Sequence, residues 1–292
     1  MSSPYSLDNE LAYQQWREQK FAQAPQSASE LIVEVNDPRK LTAAEHAAML
    51  QLCQRCNMVI YVGQNAAADK DIARKIGSQF GLDRLDANLL AGEDGISAIQ
   101  VSSAGDQMRQ AYIPYTNKAI KWHTDGYYNT LERSIRGMLL HCVHSASEGG
   151  ENRVMDHEML YLQLRDLNPD FIRALSAPDV MTIPARTDDE GVARAEQSGP
   201  VFSVDEHGKL HMRYTARTRS IEWKRDDLSR AAVAALEQLL AAESPYIYSV
   251  RLETGMGLLC NNVLHDRTAF NDNPDAPRLL YRARYYDRIA AS

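Results

Sequence analysis

The chain has 292 residues, 44% of them hydrophobic, and a formal net charge of -7 at pH 7. That length supports one large domain or two small ones with a sizeable core, and the acidic balance excludes the basic footprint of a protein that binds nucleic acid or an anionic membrane surface. Four cysteines without a disulfide framework suit a reducing compartment, and Met1-Ser2-Ser3-Pro4-Tyr5-Ser6-Leu7-Asp8 has neither the basic nor the apolar segment of a signal peptide, so a cytoplasmic protein with a small-molecule partner is expected.

Residues 7–23 carry apolar positions at helical spacing after Ser6 and predict an N-terminal helix. Residues 31–35 predict a short strand, and 42–53 an Ala-rich helix with Thr42 as N-cap and Glu45 at capping-box spacing. A second strand at 58–62 and a helix near 69–80 complete a mixed α and β segment over 1–95. From Ile96 the pattern turns to short strands: 96–102, 111–113, the segment around His123, 138–143 and 153–155, with a Glu148-Gly149-Gly150-Glu151-Asn152 turn before the last. Helices near 157–165 and 170–175 follow, then a polar, weakly patterned stretch over 188–199 that reads as a mobile surface loop. Strands at 201–204 and 210–214, an amphipathic helix at 228–242, and late strands at 246–252, 256–260 and 279–286 complete the chain. Such spacing favours an antiparallel sandwich or jelly roll over a doubly wound sheet. With no repeat or linker, one domain over 1–292 is expected, its 1–95 part packed on the 96–292 part.

Trp122-His123-Thr124-Asp125-Gly126 is the most informative segment. In an extended chain, positions i and i+2 leave the same face, so His123 and Asp125 can converge on one ion. His265, after the apolar run Gly255-Met256-Gly257-Leu258-Leu259-Cys260, is the candidate third ligand. Two imidazoles and one carboxylate leave positions open, as non-haem Fe(II) oxygenases require. The same donors also bind Zn2+ with an open site, which keeps a metal-dependent hydrolase as an alternative. His141 and His144, three apart in a strand, point to opposite faces and read as structural. Cys53-Gln54-Arg55-Cys56, Cys142 and Cys260 read as buried thiols.

Together with the Glu-Gly-Gly-Glu turn and the arginines of Pro277-Arg278-Leu279-Leu280-Tyr281-Arg282-Ala283-Arg284-Tyr285, this motif resembles the taurine dioxygenase-like (TauD/TfdA, clavaminate synthase-like) family of Fe(II)/2-oxoglutarate dioxygenases, over roughly residues 96–287. The resemblance implies an α+β, mainly β fold: a distorted double-stranded β-helix (jelly roll) with flanking helices. It implies Fe(II) on His123, Asp125 and His265, dioxygen and 2-oxoglutarate as cosubstrates, and Arg278 on the distal carboxylate of 2-oxoglutarate, with Arg282 on cosubstrate or substrate. Asn152 stands where relatives commonly carry a Thr that bonds 2-oxoglutarate, and its amide can donate instead. Simple alternation, by contrast, places Arg278, Arg282 and Arg284 in water, and Arg284 is expected to be exposed.

The substrate is expected to be small and polar or amino-acid-like. Tyr127, Tyr128 and Asn129 directly follow the Asp ligand and are candidates to face it. If 210–221 is extended, Arg213, Arg217 and Arg219 line one face and could hold an anionic group; otherwise they form a solvated sheet face. A non-catalytic relative with the same pocket is a further alternative, and homo-oligomer formation is left open.

Overall fold

In the computed structural model the described residues are 3–63, 69–87, 92, 94–102, 106–110, 112–188, 191–217 and 221–290. They form mixed helices and many antiparallel sheets, grouped in two compact units. One comprises Pro25–Lys121, Ile135–Val154 and Tyr248–Ser292; the other comprises Met1–Ala24, Trp122–Ser134 and Met155–Ile247.

The first unit is built on a six-stranded sheet in the order Ile32–Val35, Met58–Gly63, Met256–Cys260, Gly137–His144, Leu279–Tyr285, Ser97–Ile99. The first two strands are parallel and the other neighbours antiparallel. The N-terminal strands therefore extend the sheet that carries the C-terminal ones, and residue 95 marks no boundary in it. Period-2 alternation sends Val59, Tyr61, Leu139, Val143, Leu259, Tyr281, Ala283 and Tyr285 to one face, under Met49 and Cys53 of helix Ala43–Cys56 and Ile72 and Ile76 of helix Asp71–Gln79. Met58, Ile60, Met138, Leu140, Leu258 and Leu280 take the other face, against Val154, Tyr248, Leu252 and Val263. Helix Ala43–Cys56 starts where its sequence indicates, since Thr42 and Glu45 form a complete capping box, and it ends at Asn57 in a left-handed conformation (φ 61°). All four cysteines are buried thiols.

A four-stranded sheet runs Tyr248–Val250, Asn152–Met155, Leu264–Arg267, Ile120–His123. The turn that delivers Leu264–Arg267 relies on Asn262, at φ 50°, whose amide donates to the Ile135 carbonyl at 2.6 Å. Asn261 is also committed: its Nδ2 donates to Asn57 Oδ1 at 3.0 Å, and its Oδ1 accepts from the Ile289 N–H at 3.0 Å.

The second unit carries helices Glu10–Ala22, His157–Leu167, Pro169–Leu175 and Asp227–Ala241 with three small antiparallel sheets. The N-terminal helix is fixed through Lys20, 6% exposed and 2.7 Å from Asp156, which is itself the N-cap of His157–Leu167. Arg186–Asp188 pairs with Gly191–Arg194, and Gln197–Gly199 pairs with Met181–Ile183. The 188–199 stretch is therefore largely strand, not a structureless loop: its low apolar content reflects a ladder held by backbone bonds. Two shorter expectations also change. Ile113–Tyr115 is a 3-10 helix, with Pro114 denying the segment a ladder donor, and Ala111 lies outside the described residues. The strand at 210–214 stops at Met212. Among the described residues no helix is long and apolar enough to cross a membrane.

Candidate metal centre and active site

Strand Ile120–His123 is anchored by Trp122, whose indole N–H donates to the Leu240 carbonyl at 3.1 Å. It continues past its end as a two-sided pairing with 214–216: the Thr124 N–H donates to Tyr214 O (3.0 Å), the Tyr214 N–H to Thr124 Oγ1 (3.1 Å), and the Ala216 N–H to Trp122 O (2.8 Å). Thr215 bridges His123. The chain then turns at Gly126, whose φ of 69° is a conformation side chains rarely adopt. This keeps His123 and Asp125 extended enough to present both side chains together, with Nε2 and Oδ1 at 3.7 Å.

His265 lies in Leu264–Arg267, next to Ile120–His123 in the four-stranded sheet. Its Nδ1 is 3.0 Å from the Val263 carbonyl, which fixes the proton on Nδ1 and leaves Nε2 as the ligand nitrogen. One ligand atom each from His123, Asp125 and His265 lie within 4.8 Å of one another. Asp125 and His265 are buried, and the His123 side chain is 12% exposed. Two neutral imidazole nitrogens and a carboxylate suit a divalent first-row metal, and three protein donors leave coordination positions for other molecules.

Just after His265, alternation separates two jobs. Asp266 faces Arg153, whose Nε lies 3.0 Å from Oδ2, tying the strand to its neighbour. Arg267, which the sequence reading passed over, is 5% exposed and donates to the carbonyls of Thr116 (2.7 Å) and Lys118 (2.6 Å). Burial, with Arg278 nearby, lowers its guanidinium to about 9, so it stays charged at neutral pH. The available signal was its two-residue spacing from His265, which puts both on one strand face.

Arg278 is 5% exposed, and its guanidinium carbon lies 5.0 Å from the Phe270 ring centroid. Desolvation lowers its pKa. The guanidinium makes no ion pair among the described residues, and its backbone N–H donates to Asp272 Oδ1 at 2.6 Å. The Gly-Gly turn lies beside it: an added Cβ at Gly150 would be in ordinary contact with Arg278 Nε at 3.5 Å, whereas one at Gly149 would clash with Ala269 O at 2.4 Å. Asn152 is 5% exposed, and its Oδ1 has no hydrogen-bond partner.

Other candidates are placed differently. Arg282 is half-buried on strand Leu279–Tyr285. Arg284, expected in water, is 2% exposed and ion-paired with Asp86, because the face it shares with Leu280 is covered. Arg213 is buried, and its donors are taken by the carbonyls of Tyr127 (2.7 Å), Met181 (3.0 Å), Gly199 (3.4 Å) and Gln197 (2.8 Å). It therefore braces loops, which corrects the expected anion contact. Arg217 is exposed, its Nη1 3.5 Å from Tyr127 Oη, while Arg219 lies outside the described residues. Tyr127 and Tyr128 are half-buried and meet edge to face at 5.2 Å; Asn129 Nδ2 serves its own turn, donating to Arg133 O at 2.9 Å. His141 is fully buried, bonded to Tyr61 Oη at 2.9 Å and lowered by burial to about 4, and His144 is exposed, so both stand apart from the ligand group.

Fold and ligand group together describe a protein of mixed helices and antiparallel sheets with two histidines and one carboxylate that could hold a metal ion. The family model "Taurine catabolism dioxygenase TauD, TfdA family" matches residues 19–284, and the chain belongs to that family. Two curated relatives are uridine-5'-phosphate dioxygenases. One, from an Amycolatopsis species, is 32% identical over 179 residues, covering 59% of this chain and 62% of its own length. The other, from a Streptomyces species, is 30% identical over 181 residues, covering 58% and 62%. The chain thus spans about three fifths of the relatives it matches. Among solved structures, asparagine oxygenase with Fe(II), 3-hydroxyasparagine and succinate superposes with a TM-score of 0.56 at 14% identity, covering 92% of this chain and 89% of that one. The non-haem iron oxygenase OrfP with Fe and alpha-ketoglutaric acid gives 0.61 at 15%, covering 87% and 82%.

Proposed function

We propose that the chain is an Fe(II)- and 2-oxoglutarate-dependent dioxygenase that hydroxylates a small anionic molecule of the uridine 5'-phosphate type. The observation that carries this reading is the convergence of His123, Asp125 and His265 in a chain that also buries Arg278 without an ion-pair partner among the described residues. A desolvated guanidinium is costly unless an anion joins it, and its planar fork matches a carboxylate. A zinc hydrolase would use the same three ligands but would have no need of that guanidinium.

His123, Asp125 and His265 would hold the iron, which when bound supplies the redox chemistry of the reaction. Arg278 would bind the distal carboxylate of 2-oxoglutarate, and Asn152, through its Nδ2 as donor, would contact the same molecule. The net reaction splits dioxygen between two products: one oxygen atom enters the succinate formed when 2-oxoglutarate loses CO2, and the other enters a substrate C–H bond as hydroxyl. The nucleotide-like substrate follows the two relatives at 30–32% identity, and narrows the expectation of a small polar or amino-acid-like molecule to a polar, anionic one. Arg217 beside Tyr127 is the proposed contact for its phosphate. We further read the paired sheets as a distorted jelly roll, and the chain as one catalytic domain in the cytoplasm; buried thiols support the reducing compartment.

The test is succinate release in air from protein supplied with Fe(II) and 2-oxoglutarate. Uridine 5'-phosphate should stimulate it at least tenfold, uridine less, and asparagine or arginine not at all. Stimulation by the amino acids alone would overturn the nucleotide reading and leave the dioxygenase reading standing.

A further inference from the structure

Arg267 and Arg278 approach the same ring, their guanidinium carbons 4.8 and 5.0 Å from the Phe270 centroid, so the two charges lie no more than about 10 Å apart. All three residues are 5% exposed. The nearest carboxylate contact is Asp272, which accepts the Arg278 backbone N–H at 2.6 Å and leaves its Oδ2 buried without a partner. Arg251 is matched by Glu253 at 3.0 Å and adds no net charge. Among the described residues two buried cations thus stand beside one half-buried carboxylate. Arg267 Nη2 donates to the Thr116 and Lys118 carbonyls, which fix its position without neutralising it, and its buried Nε has no hydrogen-bond partner.

We propose that Arg267 is a positioning residue for cosubstrate selection: its charge, set beside that of Arg278 on the Phe270 ring, leaves the pair with a net positive charge next to Asp272, so that Arg278 remains available to a dicarboxylate rather than being neutralised inside the protein. The inference rests on the reading of 2-oxoglutarate as cosubstrate. Without Arg267, Arg278 and Asp272 form a locally neutral pair, and the unpartnered Asp272 oxygen competes with the distal carboxylate of the ligand. With it, a dianionic 2-oxo acid restores neutrality on binding. A 2-oxo acid of the same length without the distal carboxylate gains nothing from this charge.

The experiment is anaerobic calorimetric titration of the Fe(II)-loaded protein with 2-oxoglutarate and with 2-oxopentanoate. A charge at this separation in a partly buried setting is worth on the order of tenfold in affinity. Arg267→Gln should weaken 2-oxoglutarate by about tenfold and leave 2-oxopentanoate within about twofold of the wild-type value. Asp272→Asn, which keeps the acceptor for the Arg278 N–H, should restore 2-oxoglutarate affinity when combined with Arg267→Gln. Arg267→Lys, which keeps the charge but not the paired carbonyl bonds, should stay within about threefold, and decides the matter if the Gln variant does not fold. Equal losses for both ligands, no rescue by Asp272→Asn, or a Lys variant as weak as Gln would overturn the proposal and reduce Arg267 to a loop clamp. Failure of the wild type to bind 2-oxoglutarate at all would instead overturn the cosubstrate reading itself, and this inference with it.

Discussion

Arg213 and Arg217 stand four positions apart and have opposite fates. Arg213 is desolvated, lowered to about 10 mainly by burial, and bonded to four carbonyls; Arg217 is exposed and hydrogen-bonds Tyr127 Oη and Thr215 Oγ1. Arg213→Gln should therefore cost about 2–4 kcal/mol of stability, since several buried carbonyls lose their donor. Arg217→Gln should leave stability within about 0.5 kcal/mol and weaken the nucleotide. Denaturant unfolding and substrate titration separate the two, and a stable Arg213→Gln with weakened substrate would reverse the assignment. Sequence reasoning could not tell these residues apart because both are arginines of one parity, and carbonyl acceptors leave no trace in side-chain identity. His123, Asp125 and His265 were legible for the opposite reason: their chemistry lies in the side chains and their spacing.

Strand Leu279–Tyr285 shows the same limit at the scale of an element. Alternation alone placed Arg284 in water, yet it is buried and ion-paired with Asp86, which also accepts from Tyr286 Oη at 2.6 Å. The partner is 198 residues away, and no local pattern announces it. Removing one member of a buried pair leaves an uncompensated charge, so Asp86→Asn should cost about 3–5 kcal/mol. Thr42→Ala, which removes a locally encoded cap, should cost about 1 kcal/mol. Equal losses in denaturant unfolding would contradict the ranking. Most helices and strands were readable within a few residues because period and caps are local. The strands Gly191–Arg194 and Gln197–Gly199 and the Ile113–Tyr115 turn were misread because their structure depends on backbone pairing and on one proline.

At the scale of the whole molecule, a chain of net charge -7 is expected to recruit an anionic cosubstrate, so the attraction must be local. In the proposed reading Arg267 and Arg278 supply it from within the fold, and strand order in one sheet brings His265 beside the His123 segment, far apart in sequence. The predominantly antiparallel architecture was foreseeable from strand spacing; the joining of Ile32–Val35 and Met58–Gly63 to the C-terminal strands was not, because register between distant segments is set by tertiary packing. The measurement that tests the account most directly is anaerobic visible spectroscopy of the purified protein with Fe(II) and 2-oxoglutarate. The account predicts a weak charge-transfer band that appears only when both are present, is absent in His265→Ala, and needs far more 2-oxoglutarate in Arg278→Ala. No band in the wild type, or an unchanged band in His265→Ala, would contradict it.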